Sequence, residues 1–200
     1  MKLVRMFGIA MVAAVAAMAI IGAGTASATL CKKNESPCAA ANQYPVPTTI
    51  KAIGTAVTFS GTITVTCDSD ITLVHEGEKG GKLFGKLTSI VWLNCKGCSP
   101  VLTTLLPSFE DEATSGGNGK LTFLTMKVEQ KSCLGIFTCQ AEARNSNLTF
   151  TGGAIGTASA TATNVPVMLA GVGCGTSGTW SARYVITEVN GSKTGSIFQE

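Results

Sequence analysis

From about Ile50 onward, apolar residues recur at every second position rather than every third or fourth. The stretch "AVTFSGTITVTC" sets Val57 and Phe59 against Thr58 and Ser60, then Ile63 and Val65 against Thr62, Thr64 and Thr66. The alternation steps by one at Gly61, which predicts a bulge or bend there. "KLFGKLTSIVWLNC" predicts a longer apolar strand around Leu87 to Leu93, with Trp92 inside it and buried. "KLTFLTMKVEQ" places Leu121, Phe123, Thr125 and Lys127 on one face and Thr122, Leu124, Met126 and Val128 on the other. In "TWSARYVITEV", Trp180, Ala182, Tyr184 and Ile186 share a face expected to be core, opposite Ser181, Arg183, Val185 and Thr187. Glycine pairs at 80–81, 116–117 and 152–153 punctuate these runs, and beyond residue 28 no window of eleven residues has helical periodicity. The pattern predicts an all-β, single-domain antiparallel β-sandwich of many short strands over residues 48–200, with a β-barrel as the alternative.

Two segments fall outside that pattern. Residues 1–28, "MKLVRMFGIAMVAAVAAMAIIGAGTASA", join a basic start (Lys2, Arg5) to an apolar run and a small-residue Ala26-Ser27-Ala28 site. That layout predicts a signal peptide cleaved after Ala28, hence a secreted, extracellular mature chain with no membrane span. Residues 29–47, "TLCKKNESPCAAANQYPVP", are polar and proline-bearing and read as a disulfide-pinned N-terminal loop capping the domain.

Cysteine usage sharpens the compartment. All eight cysteines (Cys31, Cys38, Cys67, Cys95, Cys98, Cys133, Cys139 and Cys174) follow the leader, an even set suited to bridges in an oxidising environment. Lipidation of Cys31 would strand one thiol, and Leu30 occupies the position where a lipobox carries a small residue. Short loops favour Cys31–Cys38 and Cys133–Cys139, a long loop Cys67–Cys174, and a turn at Lys96-Gly97 the remaining Cys95–Cys98.

"CKKNESPC" with "NQYP", then "GTITVTC" and the terminal "CGTSGTWSARYVIT" resemble a group of secreted actinobacterial proteins of unknown function, over nearly the whole mature chain. More faintly, the strand–cysteine pattern and "LLPSF" (Leu105 to Phe109) resemble secreted proteins of the alkane-oxidation activator type. The first resemblance implies secretion and a β fold. It implies no activity.

Charge adds little. Without Lys2 and Arg5 the chain holds 13 basic and 12 acidic residues, with no basic run, so a nucleic-acid partner is not expected. The sharpest chemical motif is "CKGC" at Cys95 to Cys98. A catalytic pair needs a helix N-terminus to lower a thiol pKa, whereas "SPVLTTLLP" is a poor helix start, so a structural bridge or turn is expected. A zinc site from Cys95, Cys98, Cys133 and Cys139 conflicts with an oxidising compartment. His75, the only histidine, cannot form a two-histidine metal site and sits in "VHEGEKGGK", read as a solvated turn. A pocket lined by His75 or Arg183 would reopen that reading. Glu110, Asp111 and Glu112 read as a water-facing acidic loop, and Asp68 and Asp70 lack the rest of a calcium loop. The hydroxyls Thr157, Ser159, Thr161 and Thr163, with Thr62, Thr64 and Thr66, would suit ice or polysaccharide if they lay flat on one face. No catalytic, cofactor or metal residue is assigned. The expected function is non-enzymatic surface binding of an extracellular or cell-envelope partner; the alternatives are a thiol–disulfide enzyme using CKGC and a carbohydrate- or ice-binding module.

Overall fold

The computed structural model describes residues 28–102 and 107–200; the leader before Ala28, and Leu105 and Leu106 of the LLPSF run, lie outside the described residues. The strands are β1 (Leu30–Cys31), β2 (Thr48–Ser60), β3 (Thr64–Lys79), β4 (Lys82–Lys96), β5 (Ser99–Leu102) and β6 (Ser108–Ala113). They continue as β7 (Gly119–Cys133), β8 (Phe137–Thr151), β9 (Gly153–Ala154), β10 (Ser159–Ala170), β11 (Ser177–Val189) and β12 (Ser196–Gln199). Most exceed the short strands expected: β3 has 16 residues and β4, β7 and β8 have 15 each.

The all-β, antiparallel expectation holds, and the barrel alternative is the architecture. Strands β2, β3, β4, β6, β7, β8, β10 and β11 follow one another around a ring, and β11 pairs with β2 to close it. Each of the eight is thus paired on both sides along at least part of its length, and the ring closes; β4 beyond Leu87 pairs with β3 alone. β5 fills the gap beside β7 above β6, its Ser99 opposite Lys131. A second small sheet, β1–β12–β9, crosses one end.

Alternation decides which side faces in. Along β2, Ile50, Ala52, Val57 and Phe59 are buried, while Lys51 and Ile53 are exposed. The outer wall carries polar side chains such as Thr58, Lys86, Thr149 and Arg183, the reverse of a membrane barrel, whose apolar band faces outward. No helix among the described residues is long and apolar enough to cross a membrane. Eight strands give an interior that side chains can fill. Here Trp180, 1% exposed, stacks on Phe59 at 6.3 Å between ring centres and meets Tyr184 edge-on at 6.4 Å. The Trp180 face is therefore core, as expected. Trp92 is only half-buried, edge-on to Phe59 at 5.8 Å.

Irregularities refine the sequence reading. Gly61 lies in a bend between β2 and β3, as expected, and a bulge falls earlier, between Gly54 and Val57. Asp68 clamps it, accepting from the Ala56 N–H at 3.1 Å and from Asn94 Nδ2 at 2.9 Å, bonds that hold its carboxyl below the usual range, the Asn94 bond foremost. In β7 the inward set changes phase, from Leu121 and Phe123 to Met126 and Val128. β8 changes phase opposite it, at Arg144 and Asn145, so the β7–β8 register stays unbroken there. One half of each of the two faces read from "KLTFLTMKVEQ" is thus core: Leu121 and Phe123 of one, Met126 and Val128 of the other.

Candidate functional site

The two ends of the barrel are built from different materials. At one end β12 returns across the opening, antiparallel to β1 with Leu30 opposite Gln199. The Thr29 and Glu200 backbones exchange hydrogen bonds of 2.8 and 3.0 Å. The N-terminal loop is pinned as expected by Cys31–Cys38, and Tyr44 donates its hydroxyl to the Ser196 carbonyl at 2.7 Å. Beneath this plug lies a cavity of about 50 Å³. Its walls are mostly Leu, Ile and Phe, with His75, Asp111, Tyr184 and Gln199 among them.

Asp111 is the unexpected member. The run "SFEDEA" is strand β6, not a loop, and it alternates: Phe109 and Asp111 point inward and are each 5% exposed. Glu110 faces outward to Lys82 at 3.4 Å. Gln199 reaches the carboxylate from β12, its Nε2 donating to Asp111 Oδ2. Room for this exists because position 119 is glycine: Gln199 Oε1 overlaps the site a Cβ would take, and Asp111 Oδ1 lies 2.9 Å from it. Asp111 Oδ1 and Gln199 Oε1, both acceptors, are buried without a hydrogen-bond partner. A proton on Oδ1 lets the two pair as carboxylic acid and amide. Burial, foremost, pushes the Asp111 carboxyl up to about 7; the Gln199 side chain and the Glu112 backbone act the other way.

His75 is also inside, on β3 and 4% exposed, not in a solvated turn. Its Nε2 lies 2.8 Å from the Gly77 carbonyl, which can only accept, so Nε2 carries the proton. Nδ1 is buried without a partner, and desolvation lowers the imidazole pKa. Tyr184 is raised above the usual phenol range by burial. These groups stand at the edges of a lining that is otherwise apolar. A pocket for a drug-sized ligand needs roughly 300–1,000 Å³.

The opposite end is braced with sulfur. Cys67 pairs with Cys95, Cys98 with Cys133, and Cys139 with Cys174. The expected bridges Cys67–Cys174, Cys95–Cys98 and Cys133–Cys139 are corrected accordingly. Cys67 and Cys95 sit on neighbouring strands β3 and β4, close to the paired Thr66 and Lys96. The turn at Gly97 then carries Cys98 toward β7. CKGC is therefore a turn between two strands, its sulfurs committed to different partners, and β5 rather than a helix follows it.

The turns at this end lean on one another. Leu134 N–H donates to the Gly97 carbonyl at 3.4 Å. A Cβ at Gly173 would lie 3.3 Å from the Phe137 ring, and one at Gly175 would lie 2.6 Å from Thr62 Oγ1. On this rim stand the most exposed large apolar side chains among the described residues: Val172 at 84%, Ile136 at 79% and Leu134 at 70%.

The remaining candidates do not assemble. The hydroxyl run is no flat array, since residues 155–157 turn, Ser159 is buried and β10 breaks register between Ala162 and Val165. Arg183 lies on the outer wall with its Nε 3.4 Å from Ser159 Oγ. Among the described residues no group of three His, Cys, Asp or Glu could hold a metal. Sequence reasoning missed the inward Asp111 and Gln199. The signal was the period-two phase of Phe109 with Asp111 and of Ile197 with Gln199. Comparison with known proteins finds no matching family model, no matching curated protein and no matching solved structure.

Proposed function

We propose that this chain is an exported, non-enzymatic binding protein that works at or outside the cell envelope through the outside of its barrel. The observation that carries the reading is the rim of Leu134, Ile136 and Val172, held out on turns that disulfides brace. Leu134 and Ile136 share one turn, and the turn that carries Val172 approaches the neighbouring Phe137 ring at Gly173; apolar groups gathered in this way, unlike ones scattered singly, mark interaction surfaces. Two further features support it. All eight cysteines are bridged, the state expected of an oxidising compartment, and the interior cavity of about 50 Å³ falls short of the volume of a drug-sized ligand. The thiol–disulfide alternative loses its basis because Cys95 and Cys98 are not a pair.

Adsorption of the purified, oxidised protein to washed cell-envelope preparations tests the reading. Wild type should sediment with the envelopes, and the triple variant Leu134→Ser/Ile136→Ser/Val172→Ser should stay in solution. Equal sedimentation of both would remove the rim from the proposal; insulin reduction by the wild type would replace binding with catalysis.

A further inference from the structure

The kind of partner follows from the composition of the rim, given the surface-binding reading above. The turns at the braced end, 61–63, 97, 134–136 and 171–176, contain no Asp, Glu, Lys or Arg. The nearest charges along the chain are Lys96 and Lys131, and Lys131 is paired with Glu129 at 3.1 Å. The plugged end, in contrast, carries Lys32, Lys33, Glu35, Lys79, Lys82 and Lys193 in or beside its loops. The turn tips of the braced pole are therefore uncharged, with Lys96 and Lys131 flanking them near the strand ends, while the loops of the plugged pole themselves carry charge.

The exposed apolar side chains of the braced pole stand on two turns, Leu134 and Ile136 on one and Val172 on the other, between 70% and 84% exposed, and all three are aliphatic. Protein interfaces concentrate their affinity in Trp, Tyr and Arg that fill shaped pockets; none of these stands on the rim turns. A fluid hydrocarbon layer asks for no shape match, only for aliphatic groups presented together with few charges to desolvate. Disulfides at this pole hold the tips in one orientation, so little conformational freedom is lost on contact.

We propose that the braced pole inserts Leu134, Ile136 and Val172 into the surface of a lipid layer, with the barrel axis upright and the polar wall left in water. Contact is shallow, since the flanking wall bears Thr and Lys side chains. Neutral lipid suffices, because the rim offers no cluster of cations to an anionic headgroup.

The test is flotation of the oxidised full-length mature protein with vesicles of pure phosphatidylcholine, and with vesicles in which a third of the lipid is phosphatidylglycerol. Wild type should float with both to similar extents. Each single Ser substitution at Leu134, Ile136 or Val172 should weaken partitioning roughly tenfold, the value of one aliphatic side chain. An Ile136→Leu control should float like wild type. Near-ultraviolet circular dichroism and the mass shift on reduction show that each variant is folded and bridged. Three outcomes overturn the proposal: no flotation with neutral vesicles, flotation only with the anionic ones, or a concentration-dependent dimer that the Ser substitutions abolish. Absent flotation with retained adsorption to envelopes would sink the lipid assignment while leaving surface binding intact.

Discussion

The two poles of this barrel solve one problem, closing an open ring of strands, by opposite means. The braced pole ties hairpin to hairpin covalently: Cys67–Cys95, Cys98–Cys133 and Cys139–Cys174 span 28 to 35 residues of chain. It can then leave Leu134, Ile136 and Val172 in solvent without relying on them for stability. The plugged pole closes by folding both chain ends across the mouth, with an eight-residue bridge at its edge. It must bury the polar groups that this brings inside. Sulfur at one pole makes the exposed surface free to serve binding. Packing at the other makes Asp111 and Gln199 answerable for stability, hence for pH sensitivity.

The largest test of this contrast is acid. The folded Asp111 carboxyl titrates at about 7 against 3.8 for an ordinary aspartate. Its contribution is therefore full below about pH 4 and is lost as pH rises through 7, amounting to on the order of 4 kcal/mol. His75 works with the other sign: its pKa is lowered, so its contribution is full above about 6.5 and is lost as pH falls. Comparing wild type with Asp111→Asn cancels the His75 effect. Urea midpoints should show wild type gaining on the variant between pH 7 and pH 4, and parallel curves would remove Asp111 as the titrating group.

Next come the bridges. On the loop-entropy scale, Cys139→Ala/Cys174→Ala should cost roughly 3.8 kcal/mol and Cys31→Ala/Cys38→Ala roughly 2.5 kcal/mol. The order should be plain in thermal midpoints. Equal losses would mean that the two poles are not held differently.

A smaller effect is expected where the plug meets the wall. Gly119→Ala puts a methyl group onto Gln199 Oε1 and should cost about 1–3 kcal/mol, the usual penalty for overpacking. Hydrogen exchange should rise in Ser196–Gln199 and leave the braced turns unchanged. Least of all should respond to the rim variants, which lose vesicle binding with stability within about 0.5 kcal/mol of wild type. A large stability loss there would show that the rim is part of the packing after all.

Reading the chain alone went furthest where structure is local. Period-two alternation arises from strand geometry itself, so "TWSARYVITEV" declared its core face and the all-β class followed. Cys31–Cys38 was legible because a short loop brings its ends together unaided. The pairings across strands were not. Cys95 and Cys98 are neighbours in sequence, but their partners are set by which strands lie beside β4 and β5. Asp111 was misread because charge was weighed above phase: Phe109 two residues earlier already marked the inward side.

What the sequence determined by itself, then, was the strand character, the oxidised cysteine complement and the pinned N-terminal loop. Whether the strands form two sheets or one ring turns on pairings between strands far apart in the chain, such as β2 with β11, which no local pattern encodes, since a sandwich and a barrel need the same alternation. The placement of Asp111, Gln199 and His75 around one cavity, and of Leu134, Ile136 and Val172 at one pole, followed only once the ring had closed. Closure alone fixes which residues, far apart in the chain, share an end of the molecule.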